Sequence, residues 1–166
     1  MKELQGFYLE REKYRKALIE QGTIEPYEEI GFEFMENIKV LDEKGGFCKT
    51  KNFLFPINYE KYLHGWCFAF AMRLHNEFGY KIENIYGDDG ELVHAYCLTP
   101  AGEYIDVRGK TTNEKEFFTE FEDWLDIDEL CQYKRDNALH KIATDEEKAM
   151  YGITRHIINC HRGYYA

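Results

Sequence analysis

Proline is scarce in this chain, 3 residues in 166, and no Pro-, Gly- or Ser-rich linker and no internal repeat divides it. With nothing to mark a boundary, the length suits one domain around one core, residues 1–166. No run of about 18 apolar residues occurs, so no membrane span is expected. The start Met1-Lys2-Glu3-Leu4 lacks the apolar stretch of a signal peptide, which points to the cytoplasm. Basic residues are outnumbered, 21 against 31 acidic, for a formal charge of −10. Such a balance repels an extended phosphate backbone and argues against nucleic acid as a partner. Five cysteines, at 48, 67, 97, 131 and 160, are an odd number without framework spacing and suit reduced thiols. No Cys-x-x-Cys pair completes a zinc site around His64-x-x-Cys67 or His156-x-x-x-Cys160-His161, Asp88-Asp89-Gly90 is too short for a calcium loop, and Gly-rich phosphate loops are missing. Neither a metal nor another cofactor is expected.

Aromatic residues are abundant, 16% with 13 Tyr and 12 Phe, in a chain 44% hydrophobic, which is enough for a sizeable core. Residues 3–21 and 26–45 repeat apolar side chains at three- to four-residue spacing and predict an N-terminal helical hairpin over 1–45. An aromatic loop, 47–63, leads into Gly65-Trp66-Cys67-Phe68-Ala69-Phe70-Ala71-Met72-Arg73-Leu74, apolar on almost every side and hence a buried helix, running to Phe78 with Gly79 as its stop. Strands are predicted at 82–86, 92–98 and 103–107, with turns at Asp88-Asp89-Gly90 and Thr99-Pro100-Ala101-Gly102. Two C-terminal helices follow within 111–166. One has Phe117, Phe118, Phe121, Trp124 and Leu125 as its apolar face, and the other opens on the capping box Thr144-Asp145-Glu146-Glu147. The class is α+β: N-terminal helices, a central Cys-bearing helix packed on a small antiparallel sheet over 60–110, then C-terminal helices.

Cys67 falls in the first turn of the buried helix, where unpaired N–H groups and the helix dipole favour a thiolate. In the hairpin, His94 and Asp106 share even parity. An even register about the turn sets them on one face as cross-strand or diagonal neighbours. An aspartate holding an imidazole that takes a thiol proton is what a cysteine nucleophile requires. Singly, each residue also fits a structural role, as core cysteine, bonded strand histidine or loop cap.

Gly65-Trp66-Cys67, Val93-His94-Ala95-Tyr96 and Gly102-x-Tyr104-Ile105-Asp106-x-x-Gly109 together resemble the transglutaminase-like branch of the papain-like thiol enzymes. The pattern, confined to residues 65–109, is similar also to small bacterial and phage proteins that share it. The resemblance implies Cys67 as nucleophile, His94 as general base and acid, Asp106 as orienter, and a protein or peptide amide as substrate. Where papain-type enzymes carry an oxyanion glutamine, Lys61, Tyr62, Leu63 and His64 stand here, so the oxyanion falls to the Cys67 N–H with Asn58, Tyr62 or Trp66 as candidate second donors. Hydrolysis, deamidation and acyl transfer, which share a thioester, all stay open. The competing reading is a non-catalytic inhibitor or adaptor of a mobile element, binding a protein partner through its acidic, aromatic surface.

Overall fold

The computed structural model describes Lys16, Glu20, residues 61–160 and residues 162–166. The predicted helical hairpin over 1–45, most of the aromatic loop, Asn58 and the group His156, Cys160 and His161 lie outside the described residues or side chains. Within them the class is α+β, built on one five-stranded antiparallel sheet.

Helix α1, Cys67–Phe78, starts from Gly65, whose φ of 102° suits glycine, and ends where Gly79 (φ 73°) donates its N–H to the His75 carbonyl at 2.9 Å. It is buried because it is sandwiched: it packs on the sheet and is covered in turn by helix α3, Asp145–Cys160. Even its arginine is used inward. Arg73 donates through Nε to Thr154 Oγ1 at 2.9 Å and through Nη2 to the Tyr151 carbonyl at 3.1 Å, fastening α1 to α3. The α3 start is the predicted box: Thr144 Oγ1 accepts from the Glu147 N–H at 3.1 Å while Glu147 accepts from the Thr144 N–H at 2.9 Å.

The strands are β1 (Lys81–Tyr86), β2 (Leu92–Leu98), β3 (Tyr104–Asp106), β4 (Gly109–Thr111) and β5 (Arg135–Asp136), in the order β4-β3-β2-β1-β5. Gly90 (φ 80°) makes the β1–β2 turn. The two edge strands escaped prediction because a two- or three-residue strand carries too little alternation to be recognised. Central β2 is covered on both faces. Ala95 and Cys97 face α1, where Cys97 Sγ donates to the Ala71 carbonyl at 3.3 Å. His94 and Tyr96 face the rings of Phe117, Phe118 and Phe121.

That aromatic cover departs from the predicted long helix. Asn113 caps α2 (Glu114–Phe118) by accepting from the Glu116 N–H at 3.0 Å, but the chain then tightens into a 3-10 turn, Thr119–Phe121. Phe117, Phe118, Phe121 and Leu125 remain buried, whereas Trp124, expected on the same apolar face, is 54% exposed. Changing the helical period rotates it off the core side. The C-terminal tail, without a clear sequence signal, forms α4 (Arg162–Tyr165). Its Tyr165 ring is fully buried against Phe70.

Candidate active site

The β2–β3 pairing sets Cys97 opposite Ile105 and Leu98 opposite Tyr104, an even register. Continued, it sets Tyr96 opposite Asp106 and makes His94 the diagonal neighbour of that aspartate. The two side chains meet: His94 Nε2 lies 2.9 Å from Asp106 Oδ2 in a fully buried pair. An ionised carboxylate only accepts, so the imidazole carries its proton on Nε2 and its lone pair on Nδ1. Nδ1 is buried and has no hydrogen-bond partner among the described residues.

Cys67 occupies the first position of α1. Among the described residues no side chain caps this helix start, and no acid stands in its first turn. The Cys67 sulfur accepts from the Ala95 N–H at 3.4 Å, and the N–H groups of Phe68 and of Cys67 itself are also turned to it. Since Ala95 N is bonded to the carbonyl carbon of His94, thiol and imidazole lie one residue apart along β2. They do not hydrogen-bond, because α1 lies against the Ala95 face of the strand and the imidazole leaves from the other. Proton transfer to Nδ1 therefore requires the sulfur to turn away from the Ala95 N–H.

The expected low thiol pKa is corrected by burial. At 4% exposure, desolvation pushes the Cys67 thiol up to about 11, outweighing the pull of the Ala95 and Phe68 N–H groups, and the Asp106 charge adds to the rise. Burial also lowers the His94 pKa, against the opposing effect of its Asp106 bond. At rest the pair is a neutral thiol and a neutral imidazole. Iodoacetamide at neutral pH should accordingly modify the exposed thiol of Cys131 well ahead of Cys67 or Cys97. Peptide mapping that finds Cys67 first would show the desolvation account to be wrong.

Arg108 was missed by sequence reasoning. It sits in the two-residue turn between β3 and β4, where Asp106 pairs with Gly109 (φ 107°), and the turn folds its side chain back onto the aspartate. Its Nη2 lies 2.6 Å from Asp106 Oδ2, its Nε 3.1 Å from Oδ1, and its backbone N–H donates to Oδ1 at 2.9 Å. Nη2 also donates to the Phe117 carbonyl at 3.0 Å, and the guanidinium lies 4.8 Å from the Phe117 ring centre. Burial alone would raise the Asp106 carboxyl. Arg108 and the His94 bond hold it instead well below the usual carboxylate range. The signal was present as an arginine two residues past the aspartate, just before a turn glycine.

Both depressed groups make the fold acid-sensitive. The unfolded chain takes up protons that native His94 and Asp106 refuse. The stability these groups contribute is complete above their ordinary values of 6.5 and 3.8 and is lost as pH falls below each. Each pH unit over which unfolding binds one extra proton costs about 1.4 kcal/mol. Urea midpoints measured from pH 8 to pH 5 should fall more steeply in the wild type than in His94→Gln. Equal slopes would contradict the buried neutral imidazole.

The oxyanion candidates separate. Tyr62, fully buried, donates its hydroxyl to the Met150 carbonyl at 2.7 Å and is corrected to a core residue, since its one proton is spent there. Trp66 immediately precedes α1, its ring 5.6 Å from Phe68 and its indole N–H unbonded among the described residues. The backbone donors at the α1 start are the better placed group.

Phe121 stacks on His94 at 4.3 Å and meets His64 edge-on at 5.5 Å. His64 in turn packs 5.6 Å from Trp124 and lies 3.3 Å from Glu120 Oε1. Beside this aromatic group a cleft of about 480 Å³ opens, walled by His64 and Gly65 before α1, by Val93 before His94, and by Trp124. Among the described residues no group of three His, Cys, Asp or Glu could hold a metal, and no helix is long and apolar enough to cross a membrane. Compared with known proteins, the chain matches no family model, no curated protein and no solved structure.

Proposed function

We propose that the chain is a cytoplasmic thiol enzyme acting on a protein or peptide amide, with Cys67 as nucleophile, His94 as base and then acid, and Asp106 as orienter. The observation that carries this is the orphan lone pair on His94 Nδ1. A structural histidine in a core satisfies both ring nitrogens, whereas this ring is locked by Asp106 with one nitrogen buried and, among the described residues, unbonded, one residue along β2 from the N–H that meets the thiol at the α1 start.

The chemistry then runs as general-base catalysis rather than through a preformed ion pair, given the raised thiol and lowered imidazole. As the sulfur swings to the amide carbonyl, its proton passes to Nδ1, the S–C bond forms, and the carbonyl π pair moves onto oxygen. The α1 N–H groups meet that charge. The C–N bond breaks with the Nδ1 proton going to the leaving nitrogen, which leaves a thioester for water or an amine to open. Asp106 stabilises the transient imidazolium, and Arg108, by sharing the carboxylate, keeps the imidazole less basic than a lone aspartate would.

One observation favours the competing reading of a non-catalytic inhibitor or adaptor: the thiol is buried, and the imidazole bonds to Asp106 and stacks under Phe121 without touching it. Under that reading the dyad is a buried polar staple. The biological effect of Cys67→Ala at matched melting temperature separates the two, since loss requires chemistry and retention requires binding alone.

A further inference from the structure

A second groove, of about 410 Å³, lies between α1 and α3, lined by Arg73, Asn76 and Glu77 of the first and Tyr151, Arg155 and Asn159 of the second. It begins at Arg73, about 9 Å along the helix from Cys67. Arg73 is only 7% exposed, yet none of its partners carries a charge. Its Nε and Nη2 go to the Thr154 hydroxyl and the Tyr151 carbonyl, and the guanidinium lies 3.8 Å from the Tyr151 ring centre. A buried cation is ordinarily matched by a carboxylate, as Arg108 is by Asp106. Among the described residues no carboxylate pairs with Arg73. Glu77, the one acid among the described residues of the wall, is held by Arg162 at 3.3 Å. Burial and the like charge of Arg155 both weigh against the charged form of Arg73, which a guanidinium nevertheless keeps.

Hydrogen bonding leaves the same gap. Arg73 Nη1 has no partner among the described residues, and it is not sealed in the core, where His94 Nδ1 is the one buried side-chain atom without a partner among them. It therefore opens on the groove that Arg73 lines. Other donors are left over beside it. Asn76 spends one amide proton on the Tyr151 hydroxyl at 2.9 Å, which leaves that hydroxyl its own proton to give. Asn159 uses its oxygen on Arg162, at 3.4 Å, and keeps its amide hydrogens. The Nε and Nη2 side of the Arg73 fork, which a planar carboxylate would grip, already faces Thr154 and Tyr151. A guanidinium in want of a counter-charge, a second beside it and three neutral donors suit a doubly charged oxyanion met from several sides. We propose that the groove between α1 and α3 binds a phosphate group, free, on a small molecule or on a phosphorylated side chain. The site needs nothing of the thiol chemistry.

The test titrates the isotope-labelled full chain, at fixed ionic strength, with inorganic phosphate, glycerol 3-phosphate, a blocked phosphoserine tripeptide and acetate. The resonances of the Arg73 Nε–H and of the Asn76 and Asn159 side-chain amides report on the groove. Inorganic phosphate should shift them saturably, bind at least about tenfold more tightly than acetate, and raise the melting temperature. An ester that binds more tightly than phosphate itself identifies the bearer as a small molecule or a phosphorylated protein, and phosphate ahead of both esters leaves the free ion as the ligand. Arg73→Gln should abolish binding. Should that variant not fold, Asn159→Asp decides alone, because Asn159 is exposed and a carboxylate there repels the ligand. It should weaken phosphate about fivefold or more. No saturable shift below about 50 mM phosphate, equal affinity for phosphate and acetate, shifts confined to other surfaces, or undiminished binding in Asn159→Asp would overturn the proposal.

Discussion

Cys67→Ala is expected to abolish turnover, by about four orders of magnitude or more, because no other described cysteine stands at the α1 start to form the thioester. Its cost in stability should be small, since alanine fills most of the volume and the lost Ala95 N–H to sulfur contact is long at 3.4 Å. His94→Ala should be equally inactive. It removes the acceptor of the thiol proton and leaves Asp106 paired with Arg108 alone. Asp106→Asn keeps the shape but offers Nε2 either a carbonyl or an amide, and the second choice moves the proton to Nδ1, where the lone pair is needed. Its activity should fall between the wild type and His94→Ala. Steady-state rates on a peptide amide, with all variants brought to matched melting temperature, measure this. Full activity in any one of the first two would remove that residue from the chemistry.

Arg108→Met is expected to be the most destabilising single substitution near the site, by about 3–5 kcal/mol, because it leaves the buried Asp106 charge with the imidazole and the backbone N–H of position 108 but no cation. The double variant Arg108→Met/Asp106→Asn should recover much of that loss, since the penalty belongs to the unpaired charge rather than to the missing arginine. Urea denaturation of the two singles and the double closes the cycle. Additive losses would mean that the guanidinium acts mainly by packing on Phe117 and bonding its carbonyl. In any Arg108→Met protein that folds, His94 should titrate at higher pH than in the wild type, because a positive neighbour has gone.

Local rules in the sequence reached far into this site. Period-two alternation and an even turn register were enough to bring His94 onto Asp106. The apolar run and Gly79 set the extent of the Cys67 helix, and the Thr144 box set the start of α3. What was not legible depends on packing between distant segments. No periodicity tells on which face of β2 the helix will lie, and that choice leaves the sulfur on the Ala95 N–H rather than on the imidazole. The thiol pKa was misjudged for the same reason: a helix start lowers it only where water or a cation reaches, and here the core closes over it. Trp124 faced outward because α2 gave way to a tighter turn after Phe118, a change in period that its apolar spacing does not reveal. Arg108 looked like a turn residue until the turn showed where its side chain must go.

The central claim is that His94 activates Cys67 once a substrate enters, and a peptidyl vinyl sulfone tests it most directly. Its amide-bearing chain supplies the binding, and the thiolate adds across its double bond to leave a stable mass. The account predicts one adduct, mapped to Cys67, forming at least about a hundredfold more slowly in His94→Ala, as expected for loss of a positioned general base. Adducts on Cys131 alone, or Cys67 labelling that proceeds as fast without the imidazole, would contradict it.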